Sequence, residues 1–223
     1  MRSLVLGFLL AVAGKAALSG TVVSLVGPIR GASATLFDDA TKSEVARSRA
    51  AADGRFEFPA VAAGSYSLRI EAVGFAIRTV QNIVLREGED RSIPPVTLSL
   101  PVCGTPSLDH QRLLDGTQAA VLSGRVQDRK GRPVRDAKIT VECADATCPT
   151  AFSDSTGSYT LRDLHPGDNY WLNVTAKGYF AERSGTYLAQ SGYELFYWPI
   201  RLERCRFGNC DPRWKPKRIA LCE

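Results

Sequence analysis

Histidine is scarce in these 223 residues: His110 and His165 are the only two. A nucleophile-and-base hydrolase sets His or Lys beside Ser or Cys. Here one histidine falls between two patterned segments, the other precedes Pro166 in a turn, and no Gly-x-Ser-x-Gly elbow occurs. The chain also lacks a Cys-x2-Cys pair, the spacing common in structural zinc sites. No catalytic residue, metal ligand or cofactor is therefore assigned. Helical spacing is missing from any stretch comparable in length to the strand-like ones. The apolar run from Leu4 to Ala13 is shorter than the roughly 20 residues a membrane helix needs. A general basic field is absent too. Of the net charge of +5, Arg2 and Lys15 give +2 and residues 203–223 give +3, leaving the body near neutral. That excludes the electrostatic footprint of a nucleic-acid binder.

What is present begins with the first 16 residues. Arg2, the apolar run and the small residues Ala16 and Ala17 read as an export signal, cleaved after Ala16. The rival reading is a buried first strand. Export sets the expected location, secreted or periplasmic, with no transmembrane segment after cleavage. Six cysteines agree with an oxidising compartment: Cys103, Cys143, Cys148, Cys205, Cys210 and Cys222. They allow 15 pairings. Cys143–Cys148 closing a loop, with Cys103 tied to the tail, is the favoured arrangement.

The dominant pattern is a repeat. Leu18-Ser19-Gly20-Thr21-Val22 returns as Leu122-Ser123-Gly124-Arg125-Val126, Gly54 as Gly157, Tyr66 as Tyr170, Gly74 as Gly178 and Leu98 as Leu202, at offsets of 103 or 104. Ordered anchors at one spacing mark a duplication. Within each copy the apolar residues alternate with period two, so Tyr66, Leu68, Ile70 and Ala72, and again Tyr170, Leu172, Val174 and Ala176, point to one face. Turn pairs such as Asp53-Gly54, Thr156-Gly157 and Pro166-Gly167 punctuate about seven short strands per copy, near 18–25, 32–38, 44–50, 55–59, 65–73, 76–86 and 93–100 in the first. This predicts an all-β protein of two tandem seven-stranded Greek-key β-sandwiches. The expected division is a signal at 1–16, sandwiches at 17–100 and 121–203, a linker at 101–120 with a helical turn near Leu108–Leu114, and a basic, cysteine-containing tail at 204–223 pinned to the body.

Gly124-Arg125-Val126, Pro133-Val134, Gly157-Ser158-Tyr159, Pro166-Gly167-Asp168-Asn169-Tyr170 and Gly178-Tyr179 resemble the carboxypeptidase regulatory-like family, a prealbumin-like or carbohydrate-binding-like fold. Gly20-Thr21-Val22, Gly54-Arg55-Phe56, Gly64-Ser65-Tyr66 and Gly74-Phe75 repeat the pattern, with Ala63 in place of the proline. The resemblance implies an exported, non-enzymatic structural or interaction module; its partner would be an unknown protein or polysaccharide of the cell envelope. Two alternatives stand beside it: a carbohydrate-binding module, and an accessory domain for a separate hydrolase. For the first, Trp171, Tyr193, Phe196, Tyr197 and Trp198 are the possible ligand-stacking aromatics, weighed against burial in the core. Arg213, Lys215, Lys217 and Arg218 around Trp214 offer a contact for anionic lipid headgroups or cell-wall polymer, weighed against a solvated terminus, the favoured reading. A Lys–Asn isopeptide link lacks its full residue set in either copy. The sequon Asn173-Val174-Thr175 falls mid-strand and is discounted.

Overall fold

The computed structural model of the chain describes residues 14–100, 110–116, 119–142, 149–197, 199–205 and 210. Among them there are strands and turns and no helix. The first unit holds β1 (Lys15–Ser24), β2 (Gly27–Pro28), β3 (Ser33–Asp38), β4 (Glu44–Arg49), β5 (Arg55–Ala62), β6 (Gly64–Glu71), β7 (Arg78–Leu85), β8 (Asp90–Ser92) and β9 (Val96–Thr97). A connecting strand, β10 (His110–Leu113), follows. The second unit holds β11 (Ala120–Asp128), β12 (Lys138–Glu142), β13 (Thr150–Phe152), β14 (Ser158–Leu164), β15 (Asn169–Thr175), β16 (Glu182–Leu188), β17 (Tyr193–Phe196) and β18 (Ile200–Leu202).

Period-two alternation sets what each strand buries. Tyr66, Leu68 and Ile70 of β6, and Tyr170, Leu172 and Val174 of β15, lie in the core. The paired tyrosines satisfy their hydroxyls locally. Tyr66 donates to the Ala62 carbonyl at 2.8 Å, and Tyr170 accepts from the His165 amide at 2.9 Å. In each unit β1 or β11 is the centre of one layer. β5 and β14 flank it antiparallel on one side; β8 with β9, and β17 with β18, flank it parallel on the other. The opposing layers are β4-β3-β6-β7 and β13-β12-β15-β16. Each unit is thus a β-sandwich, and the register repeats to the residue: Ala17 faces Asp90 as Val121 faces Glu194.

The connector departs from expectation. Its described residues form a strand where a helical turn was expected, because His110-Gln111-Arg112-Leu113 alternates exposed and buried and two strand edges await it. β10 pairs parallel with β7 and antiparallel with β17, satisfying backbone groups on both edges. A nine-stranded sheet results, running β14-β11-β17-β10-β7-β6-β3-β4 with β18 beside β11. It joins non-equivalent layers, the β3-containing layer of the first unit and the β11-containing layer of the second.

Among the described residues the cysteines are Cys205 and Cys210. Cys205 and Cys210 form a disulfide within the tail itself, not to the body, across a five-residue separation. The tail's entry is nonetheless fastened, since the Cys205 amide donates to the Gly178 carbonyl at 2.9 Å. Cys103, Cys143, Cys148 and Cys222 lie outside the described residues, as do Arg213, Trp214, Lys215, Lys217 and Arg218.

Candidate functional site

The outward face of β11, β14 and β17 holds a concavity of about 430 Å³ lined by Ser123, Arg125, Ser158, Thr160, Glu194 and Phe196, with Pro199 at its rim. Alternation explains the lining: Leu122, Leu161 and Leu195 turn inward, so their neighbours Ser123, Thr160 and Glu194 turn outward. Glu194 is nevertheless buried, because β10 and β11 flank it on both sides. Its first-unit counterpart Asp90 sits on β8 and is exposed. The joining of the units is therefore what encloses this carboxylate.

A buried charge needs partners. Ser123 Oγ donates to Glu194 Oε1 at 2.6 Å and lies 3.0 Å from Thr160 Oγ1, while the Arg112 guanidinium pairs with Glu194 Oε2. Arg112 also lies over the Phe196 ring, 5.6 Å from its centroid. Beneath the floor, burial pushes the Tyr159 and Tyr197 phenols far above their ordinary range, so both remain neutral. Gly124 makes room for Tyr159: a Cβ there would meet the phenol oxygen at 2.7 Å. The described lining offers hydroxyls, a carboxylate, a cation and the aromatic rings of Tyr159, Phe196 and Tyr197. Among the described lining residues Glu194 is the one acid.

The expected stacking aromatics separate. Phe196 and Tyr197 both line the concavity. Tyr193 is buried and donates to the Pro94 carbonyl at 2.7 Å, a contact from the second unit to the first. Tyr197 is buried edge-on against Tyr187, with centroids 4.0 Å apart. Trp171 lies on the outer face of β15, 37% exposed, with the Arg183 guanidinium 4.1 Å above its ring. Trp198 lies outside the described residues. Among the described residues, Phe196 and Trp171 thus occupy two different sheets. Around Trp171, Arg183 holds Glu142 through two bonds of 2.7 and 2.6 Å and Asn173 Nδ2 donates to the same carboxylate at 2.8 Å. Arg183, then Asn173, hold the Glu142 carboxyl below its usual range. The sequon nitrogen is thereby engaged mid-strand.

His110 lies exposed on β10 and His165 in the turn after β14. Among the described residues no group of three His, Cys, Asp or Glu is gathered as a metal site. Glu194, Ser123, Thr160 and Arg112 had not been singled out in the sequence. The one signal for them was an acid set inside the apolar run Tyr193-Glu194-Leu195-Phe196-Tyr197.

A family model described as the carboxypeptidase regulatory-like domain matches residues 17–99 and 121–193. Comparison with curated proteins finds no match. Among solved structures, the TIE protein of Bacillus anthracis is 15% identical, covering 85% of this chain and 33% of its own, at a TM-score of 0.33. The 3-chlorocatechol 1,2-dioxygenase of Rhodococcus opacus 1CP is 14% identical, covering 42% of this chain and 63% of its own, at 0.33. The shaft pilin SpaA of Lactobacillus rhamnosus GG is 9% identical, covering 86% and 99%, at 0.33. This chain spans less than two-thirds of the first two, and scores this low carry no functional weight.

Proposed function

This chain belongs to the carboxypeptidase regulatory-like domain family, and on that premise we propose that it is an exported, non-enzymatic structural or interaction module made of two tandem sandwiches. One observation carries the reading. Interior side chains of both units fill a single buried cluster, and β10 welds the units into one sheet, an arrangement suited to presenting surfaces at fixed spacing. Export is supported by the Cys205–Cys210 disulfide and the apolar leader.

The leader's end needs adjusting. Lys15 and Ala16 pair with Ala62 and Val61, and Ala16 is buried, so cleavage after Ala16 would cut into β1. Ala11-Val12-Ala13 offers a small-residue cleavage site just before the strand. Intact mass and fractionation test this: a mature protein starting at Gly14 outside the cytoplasm is expected, and an uncut cytoplasmic chain would defeat the reading. Affinity capture from the envelope with mass spectrometry then identifies the protein partner.

Carbohydrate binding is the second reading, favoured by Phe196 beside the hydroxyls, Glu194 and Arg125. Calorimetric titration with envelope polysaccharides is its test: binding that Phe196→Ala weakens supports it, and no heat with any of them removes it.

A further inference from the structure

The two units carry opposite chemistry on one matched set of loops. At the end of the first unit where β1 stops, Leu25, Val26, Val73, Ile77 and Leu100 are exposed, with Val26 at 97% and Val73 at 102%. Backbone bonds bring their loops to one end of the unit. The Leu98 amide donates to the Val23 carbonyl at 2.8 Å, which sets Leu100 beside the tip at Leu25-Val26, and the Ala76 amide donates to the Ser99 carbonyl at 2.9 Å, which adds the turn at 73–77.

The second unit repeats this framework. The Phe180 amide donates to the Glu203 carbonyl at 2.9 Å, the Tyr179 amide to the Ala176 carbonyl at 3.1 Å as Phe75 does to Ala72, and β11 ends in the matching tip. Yet Leu25, Val26, Val73 and Leu100 become Arg129, Lys130, Lys177 and Arg204, all exposed. The fold therefore accepts full charge at these positions. Apolar character in the first unit is a property of that surface, not a demand of packing.

Strand directions place both ends together. β7 starts at the apolar cluster, β10 runs parallel to it, β17 antiparallel to β10, and β11 parallel to β17. The tip after β11 thus leaves the same edge of the nine-stranded sheet as the turn before β7. On this edge Arg129 is offset by Glu203 at 2.9 Å and Arg132 by Asp128 at 2.6 Å, so Lys130, Lys177 and Arg204 carry the positive character.

We propose that this edge docks on an anionic lipid surface, with the Leu25-Val26 and Val73 tips entering the interface and Lys130, Lys177 and Arg204 resting on headgroups. Protruding apolar tips flanked by cations fit a bilayer's greasy interior and charged surface together. The tip backbone is already engaged, with the Val26 amide donating to Ser24 Oγ at 3.3 Å and Ser24 Oγ to the Gly27 carbonyl at 3.1 Å, which lowers the cost of leaving water. The inference rests on the interaction-module reading and names its partner.

The test is flotation of the full mature chain with vesicles of phosphatidylglycerol and phosphatidylcholine, against phosphatidylcholine alone. Wild-type protein should float with the anionic vesicles and release as salt rises. Leu25→Ser/Val26→Ser/Val73→Ser removes the apolar tips and leaves the charge unchanged, and with an unchanged melting temperature it should bind at least about tenfold more weakly. Val73→Ser alone, at a side chain wholly in solvent, serves if the triple variant unfolds. Lys130→Gln/Lys177→Gln should weaken binding about fivefold for each cation lost. Folded tip variants that float like wild type overturn the proposal. So does wild-type protein that ignores anionic vesicles, whether it stays monomeric, self-associates or captures a protein; in the last case the module reading survives and only the lipid inference falls.

Discussion

Gly54 and Gly157 show how closely single residues are constrained. Both adopt φ of 77°, and at both an added Cβ would lie 2.4 Å from a backbone carbonyl, of Val22 or Val126. Backbone cannot step aside as a flexible side chain can, so strain and clash add. Gly157→Ala should cost about 2 kcal/mol or more, read from the urea midpoint, whereas Gly131→Ala, with open space around its Cβ position, should cost less despite its similar φ. Turn carboxylates set the acid limit. The Thr41 amide and hydroxyl hold Asp38 low, the Thr156 hydroxyl and Ser158 amide hold Asp154 low, and Arg183 holds Glu142 low. A carboxyl depressed on folding contributes stability above its unfolded value of about 4, and that contribution fades as pH falls through the lower folded value. The urea midpoint should therefore be steady above about pH 5 and decline below about 4. Asp38→Asn/Asp154→Asn should flatten that decline, and an unaltered profile would count against the turns as its source.

β10 is the element on which the architecture turns. It buries Gln111 at the seam, between Val80 and Leu195, with neither amide atom hydrogen-bonded among the described residues. Such a group costs about 1–3 kcal/mol when unsatisfied. Gln111→Leu should raise the melting temperature by a few degrees, and a fall would mean the amide has a partner that matters. The strand's identity was hard to read in the sequence. Four residues of alternating character suit several structures, and what selects a strand is the presence of two open edges contributed by residues 78–85 and 193–196. The longer strands of each unit were legible for the opposite reason. Their alternation is longer and their turn glycines mark each end.

At the scale of the molecule, a shared sheet should make the units unfold together. Calorimetry is expected to show one transition with equal calorimetric and van't Hoff enthalpies, while two separated transitions would make β10 a mere tether. The shared sheet also encloses Glu194 in the concavity. That carboxylate is enclosed only because a connector strand lies beyond it, so half of the site's chemistry was unreadable from the second unit alone.

The sequence by itself determined that the chain is all-β, duplicated, and a member of one domain family, because strand period and turn glycines are local properties that survive in any context. Tertiary structure alone decided which edges meet, which aromatics are buried, and that two equivalent loop sets of opposite character face the same way. Those outcomes depend on pairings between residues about 70 to 100 apart, as between Ser123 and Glu194 or Pro94 and Tyr193, which no local pattern encodes.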